Sequence, residues 1–203
     1  MKEIKVNLEN LTDKERKQLL NFIGKANNQV QLCDIEDGDI FKIGNVEFIK
    51  FSDENAVTTA VTKDIVFDST FGEDNNLVKS RVIKKLSDEF LPKIVDVVGY
   101  RNIVTFETDL TTLDGLTPYG VMTSKISLPT FDFYRKNVKV FDRYKLDKWW
   151  WLATPDSAKP HYGPIWVSCV APSGGISYCN YGYDSGVRPV LKFESSIFVS
   201  CED

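Results

Sequence analysis

The chain contains a single histidine, His161, and only two methionines among its 203 residues. One imidazole cannot build a histidine-rich metal centre within one chain, and its turn-rich surroundings favour a structural histidine over a general base. No apolar run approaches the roughly 18 residues that a membrane-spanning helix needs. The first ten residues also lack the apolar core of a secretory signal. We therefore expect no membrane partner and a cytoplasmic location.

A strong charge of one sign is also missing, because 25 basic and 29 acidic residues leave a net charge of −4. This balance does not favour a dedicated nucleic-acid binder. Glycine-rich phosphate loops and calcium-binding loops do not occur, so no cofactor is predicted. A hydrophobic content of 42 % with 12 % aromatic residues is typical of a globular chain with a substantial core.

Residues 1–30 are interpreted as an N-terminal appendage and residues 31–203 as the main domain. Thr12 and Glu15 have the spacing of a capping box, which predicts a helix over residues 12–27. Such a short helix has only marginal stability in isolation. We expect it to dock either on the main body or on a second copy of the chain, which would create a homo-oligomer.

The segment 34–74 alternates short β-rich runs with turn residues. Strands are predicted at residues 46–51, 56–61 and 65–67. The segment holds eleven acidic residues but only three lysines. Its charge indicates either a solvated face or an acidic contact surface for a basic partner.

The rest of the chain predicts one helix followed by strands. Apolar residues four positions apart, from Val78 to Phe90, predict an amphipathic helix over residues 77–90 that ends before Pro92. Consecutive antiparallel strands are predicted at residues 149–153, 165–171, 176–180 and 187–193. Early helices and late strands, without βαβ alternation, predict an α+β fold.

The four cysteines, at positions 33, 169, 179 and 201, are far apart, and none forms a Cys-x-x-Cys motif. They are predicted to be free thiols. Cys169 and Cys179 lie on neighbouring predicted strands, so their thiols could approach each other. They are interpreted as two small apolar core residues, with a soft-metal or redox pair as the alternative.

The segment 173–186 combines tyrosine with serine, glycine and asparagine, a composition typical of paratope loops. Its tyrosines would be either ligand anchors or plugs at the edge of the core. His161 belongs to a preceding loop that could extend the same patch. The predicted ligand-binding residues are Tyr162, Trp166, Tyr178, Tyr181 and Tyr183.

Tryptophan and arginine mark the predicted C-terminal core. Trp149 and Trp151 should share one face of their strand while Trp150 takes the other, with at least one face buried. Arg188 lies between an apolar strand residue and a proline. It is interpreted as an internal structural clamp that pairs with a carboxylate or with loop carbonyls, the alternative being ligand contact.

Several sequence pieces occur in a characteristic order. They are the helix sequence 80–90, Trp-Leu-Ala-Thr-Pro at 151–155, the apolar run 167–170 before Gly174-Gly175, and Gly-Val-Arg-Pro at 186–189. Over residues 38–200 this combination resembles an uncharacterised domain family common in bacteriophages and prophages of gut Firmicutes.

That family is similar to the C-type-lectin-like fold, which is shared by formylglycine-generating enzymes and the variable binding proteins of diversity-generating retroelements. The resemblance implies an α+β domain whose C-terminal strands and loops display a ligand surface. It does not imply lectin activity, since the Glu-Pro-Asn and Trp-Asn-Asp calcium motifs are absent. Cys169 and Cys179 do not match the copper-binding cysteines of the enzymes residue by residue.

The expected function is therefore that of a non-enzymatic, phage- or prophage-derived protein that binds a protein or glycan ligand. It would act in the bacterial host cytoplasm or in the phage particle. One alternative is an anti-defence inhibitor that binds a bacterial immune protein through the acidic segment. The other is an oxidoreductase related to formylglycine-generating enzymes that uses Cys169 and Cys179.

Overall fold

The computed structural model describes residues 11–12, 14–16, 18–19, 29–159 and 165–201. None of the helices in this part of the chain is long and apolar enough to cross a membrane. Residues 14–16 are helical, and the capping-box contacts are present: the Thr12 amide donates to Glu15 Oε2 at 2.9 Å, and the Glu15 amide to Thr12 Oγ1 at 3.3 Å. Most of the predicted N-terminal helix, with any oligomer contact it makes, lies outside the described residues.

The described chain has a mixed α+β fold, built mostly from antiparallel strands. In chain order the strands are β1 Gln29–Gln31, β2 Ile40–Ile43, β3 Val46–Glu54, β4 Val57–Thr62, β5 Phe67–Thr70, β6 Phe106–Asp109, β7 Val121–Ser124, β8 Ile126–Ser127, β9 Trp150–Pro155, β10 Trp166–Val170, β11 Ile176–Asn180, β12 Asp184–Val187, β13 Val190–Glu194 and β14 Phe198–Ser200.

These strands form two larger sheets and one ribbon. The seven-stranded sheet has the order β1-β14-β2-β3-β4-β13-β8, and the five-stranded sheet the order β11-β10-β9-β12-β5. Strands β6 and β7 form the ribbon. Because β1 pairs with β14, the large sheet begins at Gln29, within the predicted appendage.

The helical segments pack against the sheets. They are α1 Arg81–Lys85, a π-helical turn Leu86–Phe90, α2 Leu91–Val98, α3 Phe131–Lys136 and α4 Val138–Phe141, with short 3₁₀ turns at Leu32–Asp34, Leu77–Lys79, Tyr100–Asn102 and Asp142–Tyr144. Of the four apolar residues of the predicted helix, Val82, Leu86 and Phe90 are buried, whereas Val78 is 50 % exposed in the 3₁₀ turn before α1.

The predicted helix end before Pro92 is wrong, because helical structure continues to Val98. The π-turn explains the continuation. The Leu91 amide donates to the Leu86 carbonyl, five residues back, and Pro92 then falls in the first turn of α2. An amide in a first turn needs no partner inside the helix, so proline is tolerated there.

Strand β9 is buried on both faces and separates two apolar clusters. Trp151 and Ala153 contribute to the cluster shared with α1 and α2, whereas Trp150 and Leu152 contribute to the cluster shared with α3 and α4. Trp149 precedes the strand and is 42 % exposed. The prediction that at least one face of this strand belongs to the core is confirmed, since both faces are buried.

The predicted C-terminal meander is correct only from β9 to β11. The strand predicted at residues 187–193 is divided, because β12 ends at Val187 and β13 starts at Val190. Strand β12 runs parallel to β9, and β13 joins the other sheet beside β4. Pro189 lies between them, and its missing amide removes one ladder donor at the point where the chain changes sheets. The strand predicted at residues 65–67 starts instead at Phe67.

Candidate ligand-binding surface

The hairpin β10–β11 forms one edge of the five-stranded sheet. The Gly174 amide donates to the Ala171 carbonyl, and the Ala171 amide to the Gly175 carbonyl, both at 2.8 Å. Gly174 has a φ of 85°, a conformation that favours glycine. The glycines of the Ser-Gly-Gly sequence therefore suit this tight turn. Among the described strands, β11 has a sheet neighbour on one side only.

Two of the predicted ligand-binding residues meet on this hairpin. The rings of Trp166 and Tyr178 lie 5.8 Å apart in an edge-to-face arrangement. Trp166 is half-buried, whereas Tyr178 is 59 % exposed on the edge strand. The pair therefore combines a partly anchored ring with a ring open to solvent.

The next tyrosines along the chain have different environments. Tyr183 is 66 % exposed, and its turn is held by Asn180, whose carbonyl accepts from the Tyr183 amide at 3.0 Å. Tyr181 is half-buried and packs against the larger apolar cluster. Tyr181 thus behaves partly as a core plug, the alternative that the sequence left open. Tyr162 and His161 lie outside the described residues.

A disulfide joins Cys169 on β10 to Cys179 on β11. The prediction of free thiols is therefore wrong for this pair, and the structure contains a covalent cross-link instead of two separate core residues. Cys169 pairs with Ser177, and Cys179 with Val167, so the two cysteines are diagonal neighbours on one face of the sheet. Their Cα atoms are 6.2 Å apart, within the range that a disulfide spans. Cys33 is an exposed free thiol.

Asn75 fixes the base of the loop that leads into β10, and sequence reasoning did not identify it. Its side-chain amide donates to the Ser157 carbonyl at 2.9 Å and to the Trp166 carbonyl at 3.0 Å. The Tyr119 hydroxyl donates to its Oδ1 at 2.7 Å. Asn75 is fully buried, yet its position among polar residues gives no sequence signal of burial.

A charged group lies beside the same loop base. Asp114 accepts hydrogen bonds from Thr112 at 2.5 Å and from Ser157 at 2.9 Å, and Lys159 is 3.2 Å away. These contacts lower the pKa of Asp114 to about 2, and the hydrogen bond from the Thr112 hydroxyl has the largest effect. Burial and the nearby Asp114 charge raise the pKa of Asp156. Asp114 is thus ionised at neutral pH and ties two loop segments together.

Arg188 lies in the interior between β12 and β13 and is 1 % exposed. Its Nε donates to the Thr62 carbonyl at 3.0 Å, at the end of β4. The guanidinium carbon lies 5.0 Å from the centre of the Trp150 ring and 5.4 Å from that of Phe141. The side chain therefore connects the two sheets through one carbonyl and two aromatic faces. The carboxylate contact that was predicted as one option is not found among the described residues.

The acidic segment 34–74 is partly neutralised by lysine and arginine. Within the described part of the chain, four of its eleven carboxylates form ion pairs: Asp39–Arg143, Glu47–Lys63, Asp53–Lys50 and Asp68–Lys148. Asp34, Glu36 and Asp37 are exposed next to the exposed Cys33. Burial, followed by the charge of Asp34, raises the pKa of the Cys33 thiol. A small acidic patch therefore remains at residues 34–37.

The described residues contain no group of three or more His, Cys, Asp and Glu side chains that could hold a metal ion. The chain matches no protein-family model, no curated protein and no solved structure. A functional assignment consequently depends on the geometry of the surfaces described above.

Proposed function

We propose that the chain is a non-enzymatic binding protein that recognises a protein or glycan ligand through Trp166 and Tyr178 on the hairpin and Tyr183 in the turn that follows β11. The observation that carries this proposal is the 59 % exposure of Tyr178 on a strand that a disulfide bonds to its neighbour. Tyrosine offers a large amphipathic contact area at a small cost in conformational entropy.

Rigid presentation of the rings supports the proposal. Strand β11 is aligned with β10 over five residue pairs and is cross-linked to it, while Asn75 holds both ends of the adjoining loop. A surface that is already ordered before binding loses less entropy in the complex. Tyr162 belongs to that loop and is kept as a proposed contributor, whereas the half-buried Tyr181 serves mainly to anchor the chain.

The fold and origin that accompany this function are also proposals. The α+β arrangement, with C-terminal strands that end in exposed turns, supports a C-type-lectin-like domain. The order of the sequence pieces at residues 80–90, 151–155, 167–175 and 186–189 supports a phage or prophage origin. Location in the host cytoplasm or in a phage particle stays a prediction. The disulfide between Cys169 and Cys179 weighs against the cytoplasm, since disulfides persist mainly in oxidising compartments.

The test compares native protein with the double variant Tyr178→Ala/Tyr183→Ala. Ligands are sought on a glycan array and by capture from bacterial lysate, and each affinity is then measured with the purified ligand. An aromatic hot spot contributes about 2 kcal/mol, which is roughly 30-fold in affinity, so we expect the loss of both rings to lower the affinity by about 30-fold to 1,000-fold. The melting temperature should change by no more than about 2 °C.

Tyr100→Ala provides the matched control, because Tyr100 is an equally exposed tyrosine, 62 % accessible, at the end of α2. It should bind like native protein. Unchanged binding by the double variant would refute the proposal, and unfolding of that variant would show that the two rings are structural.

A second candidate function uses the acidic patch at residues 34–37. The observation in its favour is that Asp34, Glu36 and Asp37 are exposed together, which suits a basic partner such as a bacterial immune protein. The same binding measurement separates the two candidates: affinity through the acidic patch should fall steeply with salt, whereas affinity through tyrosine rings should change little. We do not propose the oxidoreductase function, since Cys169 is completely buried and bonded to Cys179.

A further inference from the structure

Strand β11 offers a row of backbone groups at the open edge of the five-stranded sheet. Within the part of the chain that the structure describes, it pairs only with β10, in five consecutive residue pairs. Next to the strand, the Ala171 amide donates to the Gly175 carbonyl, so Gly175 faces β10. Hydrogen-bonded positions alternate along an antiparallel strand. Ser177 and Cys179 therefore also face β10, and the residues between them direct their backbone groups away from the sheet.

Most of these outward groups are unpaired. The amides and carbonyls of Ile176 and Tyr178 have no hydrogen-bond partner among the described residues, and neither has the Asn180 amide. The Asn180 carbonyl accepts from the Tyr183 amide at 3.0 Å, which leaves it one further lone pair. Five of the six backbone groups that an added strand would need are thus unoccupied.

The edge at β11 also lacks the features that usually prevent pairing with another chain, which are short length, charged side chains, proline or a covering helix. The other edges of the two larger sheets have them. Strands β1 and β8 contain only three and two residues. Strand β5 carries Asp68, which pairs with Lys148, and α1 packs beside it. Strand β11 is the longest of these four edges and has neither charge nor proline.

The occupant that fits this edge is a second copy of the same strand. An antiparallel pair of identical strands has a two-fold axis, so each strand presents the same groups to the other in reverse order. With the axis at Tyr178, that residue pairs with Tyr178 of the second copy, and Ile176 pairs with Asn180 of the second copy. Residues 172–183 contain no charged side chain, so two copies meet there without like-charge repulsion.

We propose that two copies of the chain associate through antiparallel pairing of β11 with β11, around a two-fold axis at Tyr178. The pairing joins two five-stranded sheets into one sheet of ten strands. The side chains of Ile176 and Tyr178 stand on a face of the sheet, so pairing along the edge does not cover that face. The inference is independent of the proposed ligand binding, and either can fail without the other.

The first experiment is sedimentation velocity of the full chain, from about 1 µM to about 1 mM. Five residues per copy bury much less than the roughly 1,200 Å² of stable interfaces, so we expect a weak dimer with a dissociation constant of about 10–500 µM. The constant should change by less than about threefold between low and high salt, since the strand is uncharged. A monomer at every concentration, or a dimer that high salt dissociates, would overturn the proposal.

A proline variant tests the backbone pairing itself. Ile176→Pro removes an amide that points away from β10, so the β10–β11 ladder stays intact while the dimer loses two hydrogen bonds. We expect self-association to weaken by about tenfold or more. Ile176→Thr is the matched control, because it changes the same side chain but keeps the amide and the branched Cβ. It should self-associate like native protein. A dimer of native strength in Ile176→Pro would overturn the proposal.

Hydrogen exchange of native protein locates the contact without any substitution, and it decides the matter if the proline variant does not fold. The amides of Ile176, Tyr178 and Asn180 should be protected only at concentrations where the dimer forms. The Tyr183 amide is bonded within its own copy and should not depend on concentration. If the three amides are unprotected in the dimer, the contact lies elsewhere. Protection that is equal at all concentrations would mean that the same chain covers this edge. Either result would refute the proposal.

Discussion

Strands β9 and β11 belong to the same sheet and both carry aromatic side chains, yet these side chains have opposite environments. Trp150 and Trp151 of β9 are 2 % and 0 % exposed, whereas Tyr178 of β11 is 59 % exposed. Strand β9 is third in the order of five, and β11 is at the edge. The position of a strand in the sheet, more than its aromatic content, therefore decides whether its rings build the core or a surface.

The two strands are also stabilised in different ways. Strand β9 is stabilised by packing in two apolar clusters, one on each face. Trp151 Nε1 also donates a hydrogen bond to the Ser69 carbonyl at 2.9 Å. The exposed residues of strand β11 are not covered by an apolar cluster of the described residues. This strand is stabilised by its pairing with β10 and by a disulfide. Buried area stabilises the centre of the sheet, and a cross-link stabilises its edge.

Replacing Trp151 tests this difference most strongly. Trp151→Ala removes a completely buried ring and leaves the Ser69 carbonyl without its donor, so we expect a loss of about 3–5 kcal/mol in the free energy of unfolding. Tyr178→Ala in the edge strand should cost about 0.5 kcal/mol or less. Urea denaturation of both variants measures the two values. Similar losses would show that the edge ring is part of the core.

Removing the disulfide tests how the edge strand is held. The bond closes a loop of sequence separation 10, and its loss should reduce the free energy of unfolding by about 2–3 kcal/mol through greater freedom of the unfolded chain. Reduced native protein and the Cys169→Ala/Cys179→Ala variant should unfold at similar urea concentrations. Cys33→Ala should unfold like oxidised native protein. If reduction changes nothing, the edge is held by strand pairing alone.

A smaller effect is expected at the loop base between the two regions. Asn75→Ala leaves the Ser157 carbonyl and the Tyr119 hydroxyl without their partner and removes one of two donors to the Trp166 carbonyl, with an expected loss of about 1–2 kcal/mol. Tyr119→Phe removes only the hydroxyl and should cost less. Calorimetry gives the stabilities, and hydrogen exchange at the Asp156 amide, which donates to the Trp166 carbonyl at 3.1 Å, reports on the loop base. Unchanged exchange in Asn75→Ala would contradict the positioning role.

Local patterns predicted several elements correctly. The alternation around residues 46–51 and 56–61 corresponds to β3 and β4, and the turn composition at residues 173–175 corresponds to the β10–β11 hairpin. Such elements follow from β propensity and turn chemistry, which act over a few residues. The predicted helix end was wrong because it depends on contacts between distant residues. The π-turn before Pro92 depends on how Leu86 and Phe90 pack in the core.

The candidate surface was predicted only in part. The tyrosine-rich composition of residues 173–186 identified Tyr178 and Tyr183, but the same composition gave no means of separating them from Tyr181, which packs against the core. Asn75 could not be found, because its three hydrogen bonds join it to residues 44, 82 and 91 positions away in the sequence. Contacts of that range have no periodic signature.

The sequence by itself determined the α+β class, the aromatic C-terminal strands and the tight glycine turn, because each depends on propensities of neighbouring residues. Only the tertiary structure decided that Arg188 lies buried over Trp150, that Cys169 bonds to Cys179, and that β12 and β13 separate into different sheets. These outcomes depend on strand order, which arises from the burial of apolar surface by the whole chain and is not encoded in any single segment.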